Sequence, residues 1–385
     1  MSRLPNPSAD ELARSADLTS VIQNEITVSN GWIDFAQFMH MALYTPRLGY
    51  YSGGSEKFGK NGDFVTAPEI TPLFAQTLAI QVSQILSQLG NGDILELGAG
   101  TGKLSSDLLL ALNKLEQLPE FYYILEVSNH LRHIQQETLQ KQLPFELFKK
   151  IVWTNILPEN FVGLVLGNEV LDAIPVHLVV NTSQGICERG ISFQNGEFVW
   201  KNKQILNAGL INLVHQYPLP NDYLTEFCLS ANGLIKSLAG MLQKGAILII
   251  DYGFCAREYY HPQRDQGTLM CHYQHYAHCN PLINLGLQDI TAHVNFTTIA
   301  QTALDSGLMV AGFTTQAQFL INCSIIELLN QVPAEDIAQY LPLVTAAQKL
   351  ISPSEMGDLF KVIALTKDLP SPMIGFTKGD KSHTL

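Results

Sequence analysis

Apolar positions along the chain change period several times, and the changes outline the fold. Between 69 and 90, Leu73, Leu78, Ile80, Val82, Ile85 and Leu86 recur at helical spacing and stop at Gly90 and Gly92, which predicts a helix feeding a strand. DILELGAG (93–100) reads as a short strand ending in glycines, and Leu104, Leu108, Ala111, Leu112 and Leu115 mark the buried stripe of the next helix. FYYILEV (121–127) is a strand, HLRHIQQETLQKQL (130–143) a helix, and IVW (151–153) and LVLGN (164–168) are strands. GAILIIDYG (245–253) is a fifth strand, after a helix ending near Lys244. Strands alternating with helices predict an α/β fold: a parallel, Rossmann-like sheet with right-handed crossovers and helices on both faces.

Two stretches break this rhythm. HLVVN, GICERGISF and GEFVWKN, separated by Gly and Asn turns, predict hairpins inserted at 176–205. The segment 255–345 is mixed in character, FKVIALTK (360–367) reads as a closing strand, and IGFTKGDKSHTL reads as a frayed tail. The expected organisation is an N-terminal lid segment (1–85), an α/β core (86–254), an inserted lobe lining the cleft (255–345), a closing strand (346–370) and a tail (371–385).

Composition narrows the function classes. The net charge of −12, from 23 basic and 35 acidic residues, argues against a surface that tracks phosphates and for a cationic partner. No apolar run approaches the roughly 18 residues of a membrane span. The first 20 residues carry Asp10, Glu11 and Asp17 and no apolar core, which suggests a cytoplasmic location. Six scattered cysteines read as free thiols. CHYQHYAHC (271–279) has ligand-type side chains but no C-x₂-C pairs, so it reads as a polar loop in the cleft rather than a metal site.

The candidate chemistry begins at ELGAGTGK (96–103). Gly98, Gly100 and Gly102 lie between a strand and a helix, where glycine permits positive φ and the helix N-terminus offers free N–H groups to an anion. A dinucleotide fingerprint would need glycine at 103, occupied by Lys103, and a P-loop would need glycine at 97 and Ser or Thr at 104, occupied by Leu97 and Leu104. The remaining pattern, opened by Glu96, resembles the cofactor turn of class I S-adenosylmethionine-dependent methyltransferases. Glu126, at the end of the next strand, stands where an acid accepts from ribose hydroxyls. Beyond LVLGN come Asn168, Glu169 and Asp172, polar groups at the carboxyl end of a strand, where ligands of open α/β sheets sit.

YTPRLGYYS (44–52), GDFVTAPEI (62–70), LELGAGTGKL (95–104), GNEVLDAIPV (167–176), IDYGF (250–254), GTLMCHYQH (267–275), QDITAHVNF (288–296) and EMGDLFKV (355–362) together resemble the MidA-like family of S-adenosylmethionine-dependent methyltransferases. Its mitochondrial member resembles a protein-arginine methyltransferase needed for complex I assembly. The resemblance implies S-adenosyl-L-methionine held by Gly98, Gly100, Gly102, Glu96, Glu126, Asn168, Asp63 and Thr66, with Asp63, Thr66 and Glu69 on a lid that excludes water. It implies Asn168, Glu169 and Asp172 in the reaction pocket, with His275 and His293 as further candidates. The implied partner is a protein with an accessible arginine, served by a monomer or homodimer.

One departure is Asn295, where the family pattern has Asp; the change removes a pocket charge if the side chain points inward. Two other readings stay open: methylation of a different acceptor, and a non-catalytic assembly factor that binds the cofactor.

Overall fold

A computed structural model describes residues 4–53, 65–333, 335–370 and 372–385. They form two compact units, one of Val65–Val170, Leu234–Cys255 and Val294–Leu385 (the sheet unit), the other of Met1–Phe64, Leu171–Gly233 and Ala256–His293 (the hairpin unit). The stretch expected as a single lobe at 255–345 is therefore divided at His293. The expected lid segment is divided as well, because Val65 onward packs with the sheet.

The sheet unit carries strands β1 (Asp93–Leu97), β2 (Tyr122–Leu125), β3 (Ile151–Thr154), β4 (Phe161–Asn168), β5 (Leu242–Phe254), β6 (Met309–Thr315) and β7 (Phe360–Lys367). Their spatial order is 3-2-1-4-5-7-6, with β1 to β5 parallel and β7 antiparallel to both neighbours. The order reverses between β1 and β4, which puts a crevice at their carboxyl ends. Val294–Asn295 adds a short parallel pairing to the end of β5.

Central strands covered on both faces need continuous apolar runs. Leu164, Val165 and Leu166 in β4 and Ile247, Leu248 and Ile249 in β5 supply them, all fully buried. The helix expected over 69–90 is two pieces, Ala67–Ile70 and Pro72–Leu89. Pro72 disfavours a helical Thr71, which adopts an extended conformation and caps the second piece.

Edge strand β6 went unread in the sequence. Its outer side is covered by the C-terminal residues expected as a frayed tail. Lys381 N–H donates to the Phe313 carbonyl (2.6 Å), Asp380 accepts from Phe313 N–H (2.9 Å), and Phe376 is buried. An open edge has unpaired backbone groups, and this segment satisfies them.

In the hairpin unit the antiparallel sheet runs Ile33–Asp34, Gly185–Gln194, His177–Thr182, Tyr223–Phe227, with Glu197–Lys203 also paired to Gly185–Gln194. Helix Ala9–Val28 opens with a capping box at Ser8, and Asp34 caps helix Phe35–Tyr44. Leu18, Ile22, Phe38, Leu178 and Ile191 meet in its core.

Candidate active site

β1 ends at Leu97, and the chain turns through Gly98, Gly100 and Gly102 at φ 61°, 54° and 84°. Side-chain-bearing residues rarely adopt these values. Gly102 caps helix Lys103–Lys114, and a Cβ on it would lie 3.4 Å from both Gln135 Cα and Leu139 Cγ. The turn is thus pressed against helix Asn129–Gln142.

Gln135 joins the glycine turn, the end of β2 and strand β3 at this point. Its amide donates to the Gly100 carbonyl (3.1 Å) and to Glu126 Oε2 (3.0 Å), and its oxygen accepts from Trp153 Nε1 (3.1 Å). Glu126 also accepts from Ser128 N–H (2.8 Å), and Arg132 donates to the Glu126 carbonyl (2.9 Å). Burial raises the Glu126 pKa, while these N–H donors and the Arg132 charge pull it back. In the sequence Gln135 reads as one more polar residue of a polar helix, so nothing there marked it.

Glu96 is buried and receives both the Ser105 hydroxyl and the Tyr122 hydroxyl (2.7 Å) on one oxygen. Burial pushes its pKa up to about 7 against the opposing pull of those two hydroxyls. It ties β1 to the following helix and to β2, beneath the glycine turn. Thr101 donates to Glu69 Oε1 (2.5 Å), which anchors the loop from the other side. Thr66 is the N-cap residue of Ala67–Ile70 without a side-chain capping bond, and Asp63 lies outside the described residues.

At the end of β4, Asn168 Nδ2 donates to Glu169 Oε1 (3.1 Å), while Asn168 Oδ1 is buried with no donor among the described residues. Glu169 sits at φ 53°, the left-handed region. The end of β5 fixes it there: Glu169 N–H donates to the Ile250 carbonyl (2.9 Å), and Val170 N–H donates to the wholly buried Asp251 (3.1 Å). A non-glycine residue held at such an angle stores about 1–3 kcal/mol and is concentrated at functional sites. Asp251, an acid near the carboxyl end of a strand, carried the same signal as Glu126 and was passed over.

Asp172 belongs to the hairpin unit. Its side chain is buried and its carbonyl accepts from Ala292 N–H (3.0 Å); Tyr44 donates to the next carbonyl, of Ala173 (3.0 Å). Asp289 lies in a strand and receives the Tyr51 hydroxyl on both oxygens (3.0 and 3.1 Å) and the Ile290 N–H (2.9 Å). His293 N–H donates to Thr268 Oγ1 (3.0 Å), and Thr268 donates in turn to buried Glu226 (3.1 Å).

His275 is exposed at φ 65° in the turn of a hairpin, Met270–Tyr273 against Tyr276–His278. CHYQHYAHC is therefore a hairpin and not a loop: Cys271 and Tyr273 alternate inward with His272 between them, the period of a strand. Asn295 caps helix Phe296–Asp305 by accepting from Thr298 N–H (3.2 Å), so its amide serves the helix as an aspartate could.

Gly98, Gly100, Gly102, Glu96, Glu126, Asn168 and Glu169 are thus together at one end of the sheet unit, while Asp172, His275 and His293 lie in the hairpin unit. Residues 77–314, well over half of the chain, match the family model described as "Putative S-adenosyl-L-methionine-dependent methyltransferase". The chain belongs to this family. A Burkholderia thailandensis protein solved with S-adenosyl-homocysteine bound is 45% identical, with a TM-score of 0.96 and 100% coverage of both chains. Protein arginine methyltransferase NDUFAF7 homolog, mitochondrial, from Drosophila melanogaster is 27% identical over 91% of this chain and 86% of its own. Its Homo sapiens counterpart is 28% identical over 88% and 80%.

The protein is an S-adenosyl-L-methionine-dependent methyltransferase, as the motifs implied. The expected cytoplasmic location is overturned by these relatives, which are named as mitochondrial. It rested on the make-up of 20 residues, and compartment is not a physical property of a fold.

Proposed function

We propose that this methyltransferase acts on the guanidinium of an arginine in a protein partner, and that the residues gathered at the sheet end hold its cofactor. The observation that carries the acceptor is the relationship, over about nine-tenths of the chain, to proteins named as arginine methyltransferases. A respiratory-complex-I-type subunit, which the sequence resemblance implied, is the first acceptor to try.

The donor set fits S-adenosyl-L-methionine. Positive φ at the glycines leaves room for backbone to approach the ligand, and Glu126 offers a carboxylate to paired hydroxyls. Asn168 Oδ1, a buried acceptor without a donor among the described residues, suits a cationic N–H of the ligand. When bound, the cofactor supplies an electrophilic methyl on a sulfonium. Everything else is alignment and proton handling. Glu169, fixed by β5, is the group we assign to take the proton that a guanidinium nitrogen gives up once it is methylated. Asp172 is assigned to grip the guanidinium, whose fork of donors a carboxylate matches in pairs. Glu96 and Gln135 are positioning residues behind the turn.

Incubation with methyl-labelled S-adenosylmethionine and extract from a deletion strain, followed by mass spectrometry, tests the reading. Label on arginine of a protein is expected; label on a carboxylate, a lysine or a small molecule would overturn the acceptor and leave the methyltransferase intact.

A further inference from the structure

Among the described residues, three ligand-type side chains of the hairpin unit converge on one point: Asp34, His177 and Glu188. His177 Nδ1 lies 2.7 Å from Glu188 Oε1 and 4.0 Å from Asp34 Oδ1, and the three ligand atoms are all within 4.8 Å of one another. The sheet register brings them together. Asp34 pairs with Gly190, and Leu178 pairs with Arg189, so His177 falls opposite Gly190 from the other side. Cross-strand partners share a face, and Glu188, two residues before Gly190, shares it too. Gly190 puts no side chain between them: a Cβ there would lie 2.2 Å from the Ile33 carbonyl oxygen and 2.5 Å from the Trp32 ring. Ile33, Leu178 and Ile191 take the opposite face, in the core.

Charge and access both favour a cation here. The Glu188 side chain is 7% exposed, His177 13% and Asp34 30%, so the cluster is held on a ladder yet reaches solvent along its Asp34 side. Among the described residues neither carboxylate has a lysine or arginine in an ion pair. Lys203, paired in register with Glu188, sits over the Trp32 ring, 4.8 Å from its centroid. Two acids therefore share one imidazole, which can offset the charge of one of them at most. Bonds of about 2.0–2.2 Å to a single ion set neighbouring ligand atoms roughly 3–3.5 Å apart, a spacing that the observed 2.7 and 4.0 Å bracket. An imidazole nitrogen with two carboxylates suits a divalent transition ion better than calcium or magnesium, which take oxygen ligands. Asp34 Oδ1 also accepts from Gln37 N–H (2.8 Å), and a carboxylate has acceptor sites enough for both tasks.

We propose that Asp34, His177 and Glu188 bind a divalent transition-metal ion, which clamps strands Ile33–Asp34, His177–Thr182 and Gly185–Gln194 together. The site uses none of the residues assigned above to cofactor or acceptor, and it adds no step to methyl transfer. The probe is zinc chloride, titrated calorimetrically into full-length protein stripped with a chelator, in a buffer that does not coordinate metals. Melting curves are recorded with and without zinc.

Wild type is expected to bind one zinc ion and to melt at a higher temperature with it, because an ion that binds only the folded chain stabilises it by mass action. Asp34→Asn keeps a capping side chain at the head of helix Phe35–Tyr44 and removes one charged ligand. Its zinc affinity should fall about tenfold or more, with the metal-free melting temperature little changed. His177→Gln should lose the site; if its melting curve shows that it does not fold, Asp34→Asn decides alone. Zinc bound by Asp34→Asn with wild-type affinity would mean that the ion sits elsewhere, as on the histidines of 271–279, and would overturn the site. A wild type that binds no zinc would overturn it as well, and the methyltransferase would stand in both cases.

Discussion

Glu126 and Asp289 are both buried acids, each met by a backbone N–H, yet their other donors differ in kind. Glu126, in the sheet unit, is met by a backbone N–H and an amide, donors with no lone pair to pass on. Asp289, in the hairpin unit, is met by the Ile290 N–H (2.9 Å) and by a tyrosine hydroxyl, a group that accepts as well as donates. The first arrangement sets N–H groups and the Arg132 charge against the burial that disfavours the ionised carboxylate. The second links the carboxylate to an aromatic ring that stacks on Tyr44. How a carboxylate is satisfied therefore decides what is tied to it, which burial alone does not.

Glu96 tests where this distinction ends, because it lies in the sheet unit but is held by two hydroxyls. Both use one oxygen, so the other can carry a proton, and burial raises the pKa from 4.5 to about 7. With the folded value above the unfolded one, the unfolded chain releases its proton first. This contribution to stability is full below pH 4.5, falls as pH rises toward 7, and is flat above. Its span is on the order of 3 kcal/mol. Glu96→Gln should remove that part of the decline in urea denaturation at pH 5 and pH 8. An unchanged decline would show that Glu96 stays ionised throughout.

The sheet end was largely legible because its information is local. A strand, three glycines and an acid after the next strand are read within about 30 residues, and the fold needs only their order. Gln135 escaped because its role depends on which way one helix face points against the glycine turn, and a polar residue among the few apolar ones of that helix does not reveal it. The hairpin unit was harder for a related reason. Tyr51 and Asp289 are adjacent only after 238 residues of chain have folded, so their motifs were visible but their partnership was not. The tail was misread on composition: Asp380 and Lys381 look solvated until the open edge of β6 is seen to require them.

Asp172→Asn keeps shape and removes charge in the hairpin unit. Losing one charge-assisted contact costs on the order of 2–3 kcal/mol, so transfer to arginine should fall roughly thirty- to a hundredfold. Affinity for S-adenosyl-homocysteine, measured on the same preparation, should not move. A joint loss would place Asp172 with the cofactor residues and erase the division between the two acids.

Glu126→Gln asks the complementary question. About tenfold weaker S-adenosyl-homocysteine binding is expected, from replacement of a charged acceptor by a neutral one. In wild type, binding should weaken as pH falls through the raised Glu126 pKa, because the protonated acid loses acceptor strength. The Gln variant should show no such dependence. A variant that follows the wild-type pH curve would assign the titration to another group.

The smallest effect is expected at Gln135, which touches the glycine turn, Glu126 and Trp153 together. Gln135→Met retains bulk but leaves the Gly100 carbonyl, Glu126 Oε2 and Trp153 Nε1 each short of one partner. A neutral hydrogen bond is worth about 1 kcal/mol, and the effect on the ligand is indirect, so S-adenosyl-homocysteine affinity should fall about three- to tenfold. Gln135→Glu separates support from electrostatics. It can still accept from Trp153, but it sets a second carboxylate against Glu126, and like charges raise each other's pKa. Its binding should therefore weaken further than that of the Met variant and recover as pH rises, whereas the Met variant should track wild type across the same range. If both variants bind as wild type does, the donors around Glu126 are dispensable, and the contrast with Asp289 would have to rest on burial alone.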